Sequence, residues 1–81
     1  MQIELYTKDA CPACTRAKKA LAKYKLAYKN VVIGVDINRE QVLEKYPEAR
    51  MVPLVVIDGS WIGGYEELAK WIRERFENEH N

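Results

Sequence analysis

The sequence predicts an α/β domain: a four-stranded mixed sheet with flanking helices, in the order β-α-β-α-β-β-α. Two patterns carry the prediction. Segments whose apolar residues recur at every second position alternate along the chain with segments where the repeat is three to four. Near the end of the sheet-forming part, Asp58-Gly59 joins two apolar runs, and this dipeptide suits a two-residue hairpin turn that needs positive φ. At 81 residues the chain has room for one core, so residues 1–81 form a single domain.

Each element follows from local pattern. In QIELYT, Ile3 and Leu5 alternate with Gln2 and Glu4, the period of a strand. From Pro12 the period changes. Ala17, Ala20, Leu21 and Tyr24 share one helical face, while Arg16, Lys18, Lys19 and Lys23 lie elsewhere. Pro12 suits the first helical turn, where a missing N–H costs nothing, and this puts Cys11 at the helix cap. NVVIGVDI, residues 30–37, is short and β-branched, and reads as a buried strand. Asn38 with Gln41 three positions on resembles a capping box, and Val42, Leu43 and Tyr46 give a short amphipathic helix that Pro47 stops. PLVVIDGSWIGG is the hairpin. Tyr65, Leu68, Ala69, Ile72 and Phe76 then recur at helical spacing, with Glu66 and Glu67 at the positive helix start. The polar ENEHN end is expected to fray.

Composition narrows the function classes. Hydrophobic residues at 48% and charged residues at 31% are ordinary for a globular domain. A formal net charge of +1 argues against an extended nucleic-acid or membrane footprint. The N-terminus lacks a basic region followed by a long apolar run, and nowhere do eighteen apolar residues come together. The expectation is a soluble, cytoplasmic monomer. In that compartment ordinary thiols stay reduced, so a close-spaced cysteine pair reads as redox-active rather than as a permanent bridge.

Cys11 and Cys14 are that pair, in DACPACTR. A structural zinc site wants four nitrogen or sulfur ligands, and beyond these two only His80 remains, so no metal is expected. Covalent haem attachment needs histidine directly after the second cysteine, where Thr15 stands. A cross-link over so short a loop removes little chain entropy. Position points to chemistry instead. Helix N-terminal N–H groups and the macrodipole stabilise a thiolate, Lys8 adds positive charge, and such surroundings bring a cysteine from about 8.5 into the range of roughly 3.5 to 7.5. Cys11 is then an attacking thiolate, and Cys14, one turn further in, is placed to resolve a mixed disulfide on it.

YTKDACPACTRAKKAL, MVPLVVIDGSWIGGYEEL and the element order between them resemble glutaredoxins, small oxidoreductases of the thioredoxin-like fold that use glutathione. The resemblance spans nearly the whole chain. Its specific part is the joint occurrence of Cys-Pro-x-Cys at a helix start, Val52-Pro53 some forty residues on, and Ile-Gly-Gly-Tyr after the hairpin. Thioredoxins proper carry Trp before the first cysteine, and position 10 here is Ala.

The resemblance implies a glutathione groove. Val52, ahead of a cis Pro53, would pair through its backbone with the cysteinyl part of glutathione. Gly63 and Gly64 would let the backbone approach closely, and the turn through Tyr65 and Glu66 would offer N–H groups to the γ-glutamyl carboxylate. An acid, Glu66 or Glu67, would meet the γ-glutamyl amine, and Lys8, with Arg39, the glycine carboxylate. Two positions depart from the family pattern: Ala13 stands where Tyr is common, and Met51 where Thr is common. Both would flank the ligand, so looser binding is expected. Trp61, Trp71 and Tyr46 read as packing or rim residues.

The expected function is glutathione-dependent reduction of protein disulfides and glutathione mixed disulfides through the Cys11–Cys14 dithiol. Partners would be glutathione and disulfide-bearing or glutathionylated proteins, with ribonucleotide reductase a client by family analogy. Two other readings stand beside it. One is a glutaredoxin-like thioredoxin reduced by a flavoprotein reductase, which Ala13 and Met51 keep open. The other is an iron-sulfur cluster scaffold using Cys11 and glutathione from two chains, against which Cys14 argues.

Overall fold

A computed structural model describes residues 1–77. Its elements are β1 (Ile3–Thr7), α1 (Pro12–Lys23), β2 (Lys29–Val32), α2 (Arg39–Lys45), β3 (Leu54–Ile57), β4 (Ser60–Gly63) and α3 (Tyr65–Ile72), the predicted order. The sheet runs β2-β1-β3-β4, with β1 and β2 parallel and the other two pairings antiparallel.

Side-chain parity divides the core. Ile3, Leu5 and Val55 join Ala17 and Leu21 of α1 and Leu68 and Ile72 of α3 on one face of the sheet. Tyr6, Leu54 and Val56 pack with Val31, Val42 of α2 and Ala49 on the other. The central strand β3 is therefore covered twice, which is why Leu54, Val55 and Val56 are all buried in an unbroken apolar run. Asp58 (φ 51°) and Gly59 (φ 83°) both take the positive φ that the hairpin turn requires. The capping box at α2 is also present: Asn38 Oδ1 accepts from the Gln41 N–H at 2.8 Å, and Gln41 Oε1 accepts from the Asn38 N–H at 2.9 Å.

Two elements differ from the reading of the sequence. The strand predicted over 30–37 stops at Val32. There the chain turns through Gly34 (φ 97°), with Asp36 Oδ2 accepting from the Val32 N–H at 2.9 Å, and Val35 is left exposed. A β-branched run resembles a strand, but glycine and a carboxylate able to bond the local backbone offer the chain a turn instead. The helix predicted to reach Phe76 is α-helical only to Ile72 and widens into a π-helical turn, Arg73–Glu77. In that turn Phe76 stacks on Tyr24 with ring centres 5.1 Å apart and meets Trp71 edge-on at 6.4 Å. The expected fraying beyond Glu77, and His80, lie outside the described residues.

Candidate active site

Strand register collects the predicted residues at one end of the sheet. Tyr6 pairs with Leu54 and Val55 with Gly63, while Thr7 aligns with Val32 on the parallel neighbour. The loop after β1, the 51–53 segment before β3, the end of β4 and the connection into α2 thus leave the sheet on the same side. Lys8, Cys11, Arg39, Val52, Pro53, Gly63 and Gly64 all belong to these connections or to the element ends beside them.

Cys11 is the N-cap of α1, with extended backbone (φ −119°, ψ 101°). Its Sγ accepts from the Cys14 N–H at 3.1 Å, and its carbonyl accepts from the Thr15 N–H at 3.1 Å. No acidic side chain lies in the first turn of α1 to offset the positive helix end. The chain reaches this cap through Ala10 in the left-handed region (φ 55°). Cys11 is half-buried, whereas Cys14 is 2% exposed, and the two form a disulfide with Cα atoms 5.2 Å apart. Geometry thus separates the two sulfurs: the outer one sits where backbone donors stabilise negative charge, and the inner one lies against the core.

Both cysteines line a cleft with Lys8 and Lys18. A neighbouring cleft of about 370 Å³ brings Lys8, Arg39 and Arg50 around Met51 and Val52, with Val42, Ala49 and Leu54 as its apolar floor. A third joins Arg50 and Met51 to Trp61, Gly63, Gly64 and Glu67. The Val52–Pro53 bond is cis, and Pro53 is buried. At α3, Gly64 is the N-cap and supplies no side-chain acceptor; its own N–H donates to Glu67 Oε1 at 2.8 Å. Gly63 has φ 136°, and the Glu67 side chain lies where a Cβ would stand.

Several predicted residues therefore meet: Lys8 with Cys11, Lys8 with Arg39, Met51 and Val52, and Met51 with Gly63 and Gly64. Others do not. Ala13 is half-buried in the first turn of α1 and lines none of these three clefts; Tyr65 faces a groove between α1 and α3; Glu66 is exposed and lines none of the three. Sequence reasoning missed Arg50, which borders the clefts on both sides of Met51, and assigned Trp61 no role at the site. Adjacency to Met51-Val52-Pro53 was the available signal for Arg50. Trp61 could have been found from its place two residues before the glycine pair.

Residues 3–62 match the family model of glutaredoxin. The chain belongs to the glutaredoxin family. It is 32% identical to Escherichia coli glutaredoxin 3 over 66 residues, covering 82% of this chain and 80% of that one. The structure of oxidised Escherichia coli glutaredoxin superposes with a TM-score of 0.77 at 30% identity, covering 95% of this chain and 99% of the other. A buckwheat glutaredoxin solved in complex with glutathione gives a TM-score of 0.76 at 25% identity, covering 90% and 69%. This glutaredoxin has the thioredoxin-like fold, and its Cys11–Cys14 pair is that of a thiol-disulfide oxidoreductase.

Proposed function

We propose that this glutaredoxin reduces protein disulfides and glutathione mixed disulfides with glutathione as the electron source. The observation that carries the reading is Cys11 as a helix N-cap whose sulfur accepts a backbone N–H, next to Lys8, which it shares with a cleft bordered by three cations and by Met51 and Val52. Glutathione is an extended peptide with two carboxylates. Lys8, Arg39 and Arg50 provide cations for one, and the first turn of α3 would offer the Tyr65 and Glu66 N–H groups to the other, the Gly64 N–H being bonded to Glu67. The site residues are Cys11 as nucleophile and Cys14 as resolving thiol. Lys8, Met51, Val52, Gly63 and Gly64 would surround the ligand; the buried Pro53, like Ala13, Tyr65 and Glu66, lines none of the three clefts.

In the dithiol form the Cys11 thiolate attacks one sulfur of a substrate disulfide; the S–S bond breaks, one thiolate leaves and takes a proton, and a mixed disulfide remains on Cys11. For a protein disulfide, the Cys14 thiolate attacks Cys11 Sγ, expelling the second client thiol and forming the Cys11–Cys14 disulfide. Two glutathione molecules restore the dithiol: the first joins Cys11 and frees Cys14, and the second attacks that mixed disulfide and leaves as oxidised glutathione. For a glutathionylated protein, Cys11 takes the glutathionyl group and a second glutathione removes it, without Cys14.

A coupled assay tests the proposal. Reduction of a small glutathione mixed disulfide is followed with NADPH plus either glutathione and glutathione reductase, or thioredoxin reductase alone. Turnover with the first system only is expected. Turnover with thioredoxin reductase alone would overturn glutathione dependence in favour of the thioredoxin-like reading.

A further inference from the structure

The net charge of +1 conceals a strong asymmetry. Residues 8–29 hold seven of the thirteen cations and one of the twelve acids, Asp9; the rest of the chain holds six cations against eleven acids. That segment includes both cysteines and all of α1. Between α1 and α3 lies an open groove of about 420 Å³, bordered by Arg16, Lys19, Lys23 and Arg73 over a floor that includes Ala20 and Ala69; among the described residues no carboxylate lines it. On α1 the spacing 16, 19, 20, 23 is a single helical stripe. The first of these residues is five positions from Cys11.

We infer that this groove docks an acidic polypeptide segment of the client, next to the client's disulfide. The surface is a cationic rim on an apolar floor, which complements carboxylates carried on a peptide chain. Geometry fixes the spacing. Lys23 stands about 18 Å along the helix from Cys11, at about 1.5 Å per residue, a span that roughly five or six extended residues cover. The client's acidic residues therefore lie two to six positions from its cysteine. The inference rests on the reading of Cys11 as the attacking thiol and is independent of glutathione.

The test uses the pre-reduced protein in single turnover without glutathione. Two peptides each carry one cysteine in a mixed disulfide with 2-nitro-5-thiobenzoate, whose release reports attack; one has four acidic residues at positions two to six from the cysteine, the other serines. At 20 mM NaCl the acidic peptide should react about tenfold faster, falling to about twofold at 200 mM as screening shortens the reach of the field. Lys19→Gln/Lys23→Gln should cut the low-salt preference to below about threefold and leave the serine peptide's rate unchanged. The control Lys25→Gln/Lys29→Gln, beyond the groove, should keep the preference. Equal rates for the two peptides, or equal loss in the control, would overturn the docking groove. Reaction of neither peptide would overturn the Cys11 reading and the groove together.

Discussion

Gly63 is the position where backbone, helix cap and candidate site meet, and replacing it with alanine gives the sharpest test of that corner. Its φ of 136° lies in the region that L side chains rarely adopt, and a Cβ there would stand 2.7 Å from the Cβ of Glu67. The first cost is backbone strain, about 1–3 kcal/mol. The second follows from the contact: Glu67 must withdraw, and the 2.8 Å bond from the Gly64 N–H to its carboxylate is lost, about 1 kcal/mol. Together they destabilise the domain by about 2–4 kcal/mol, which for this chain length lowers Tm by roughly 10–25 °C. Chemical denaturation of the oxidised protein measures the first figure, and a thermal melt the second. Glu67→Ala by itself should cost about 1 kcal/mol. In that background the Gly63→Ala penalty should shrink by about the same amount, since the cap is already gone. A Gly63→Ala protein within 0.5 kcal/mol of the parent, or strict additivity in the double variant, would refute the argument.

Three further outcomes are expected. In the dithiol form at pH 7, Cys11 should be alkylated by iodoacetamide roughly tenfold faster than Cys14, because the helix end stabilises its thiolate while Cys14 is buried; peptide mapping of the first label decides it, and equal or reversed rates count against the cap argument. Cys14→Ser should keep turnover of glutathione mixed disulfides in the coupled assay while losing reduction of protein disulfides, because only the second route needs an internal resolving thiol; loss of both would remove Cys14 from that role. Burial, with the nearby Glu4 and a hydrogen bond to Tyr46, pushes the Tyr6 phenol up to about 12, so the stability it gives is complete below pH 10 and is lost as pH rises toward 12. The difference between the parent and Tyr6→Phe in unfolding free energy, measured by urea titration from pH 9 to 12, should therefore shrink or reverse by about 2 kcal/mol; parallel curves would be inconsistent with it.

The architecture was legible wherever one local signal and the tertiary fold agreed. Pro12 after Cys11, the Asn38–Gln41 box and Asp58-Gly59 each specify a backbone geometry through chemistry confined to a few residues, and each forms as read. NVVIGVDI was misread because β-branched propensity speaks for a strand of any length. What ended β2 was a pair of weaker features, Gly34 and the Asp36 carboxylate, whose effect depends on the turn closing. The π turn was illegible for a different reason: the stacking of Phe76 on Tyr24 links residues 52 apart, and periodicity within one helix carries no information about it.

At the site the same division holds, and it explains why Arg50 and Trp61 were missed. The motif residues Cys11, Val52, Pro53 and Gly63 are recognisable because their chemistry demands those residue types at those places. Arg50 and Trp61 are there because the register of β3 against β4 sets Val56 opposite Trp61 and Val55 opposite Gly63, with an irregularity between them. That offset brings the residues just before Pro53 and those at the end of β4 to one cleft. A bulge leaves no signature in either strand alone. In that cleft Trp61 and Arg50 stand beside the exposed Met51, and Arg50 also lines the cleft on the other flank of Met51, so it borders both the Lys8 side of the site and the Gly64 side.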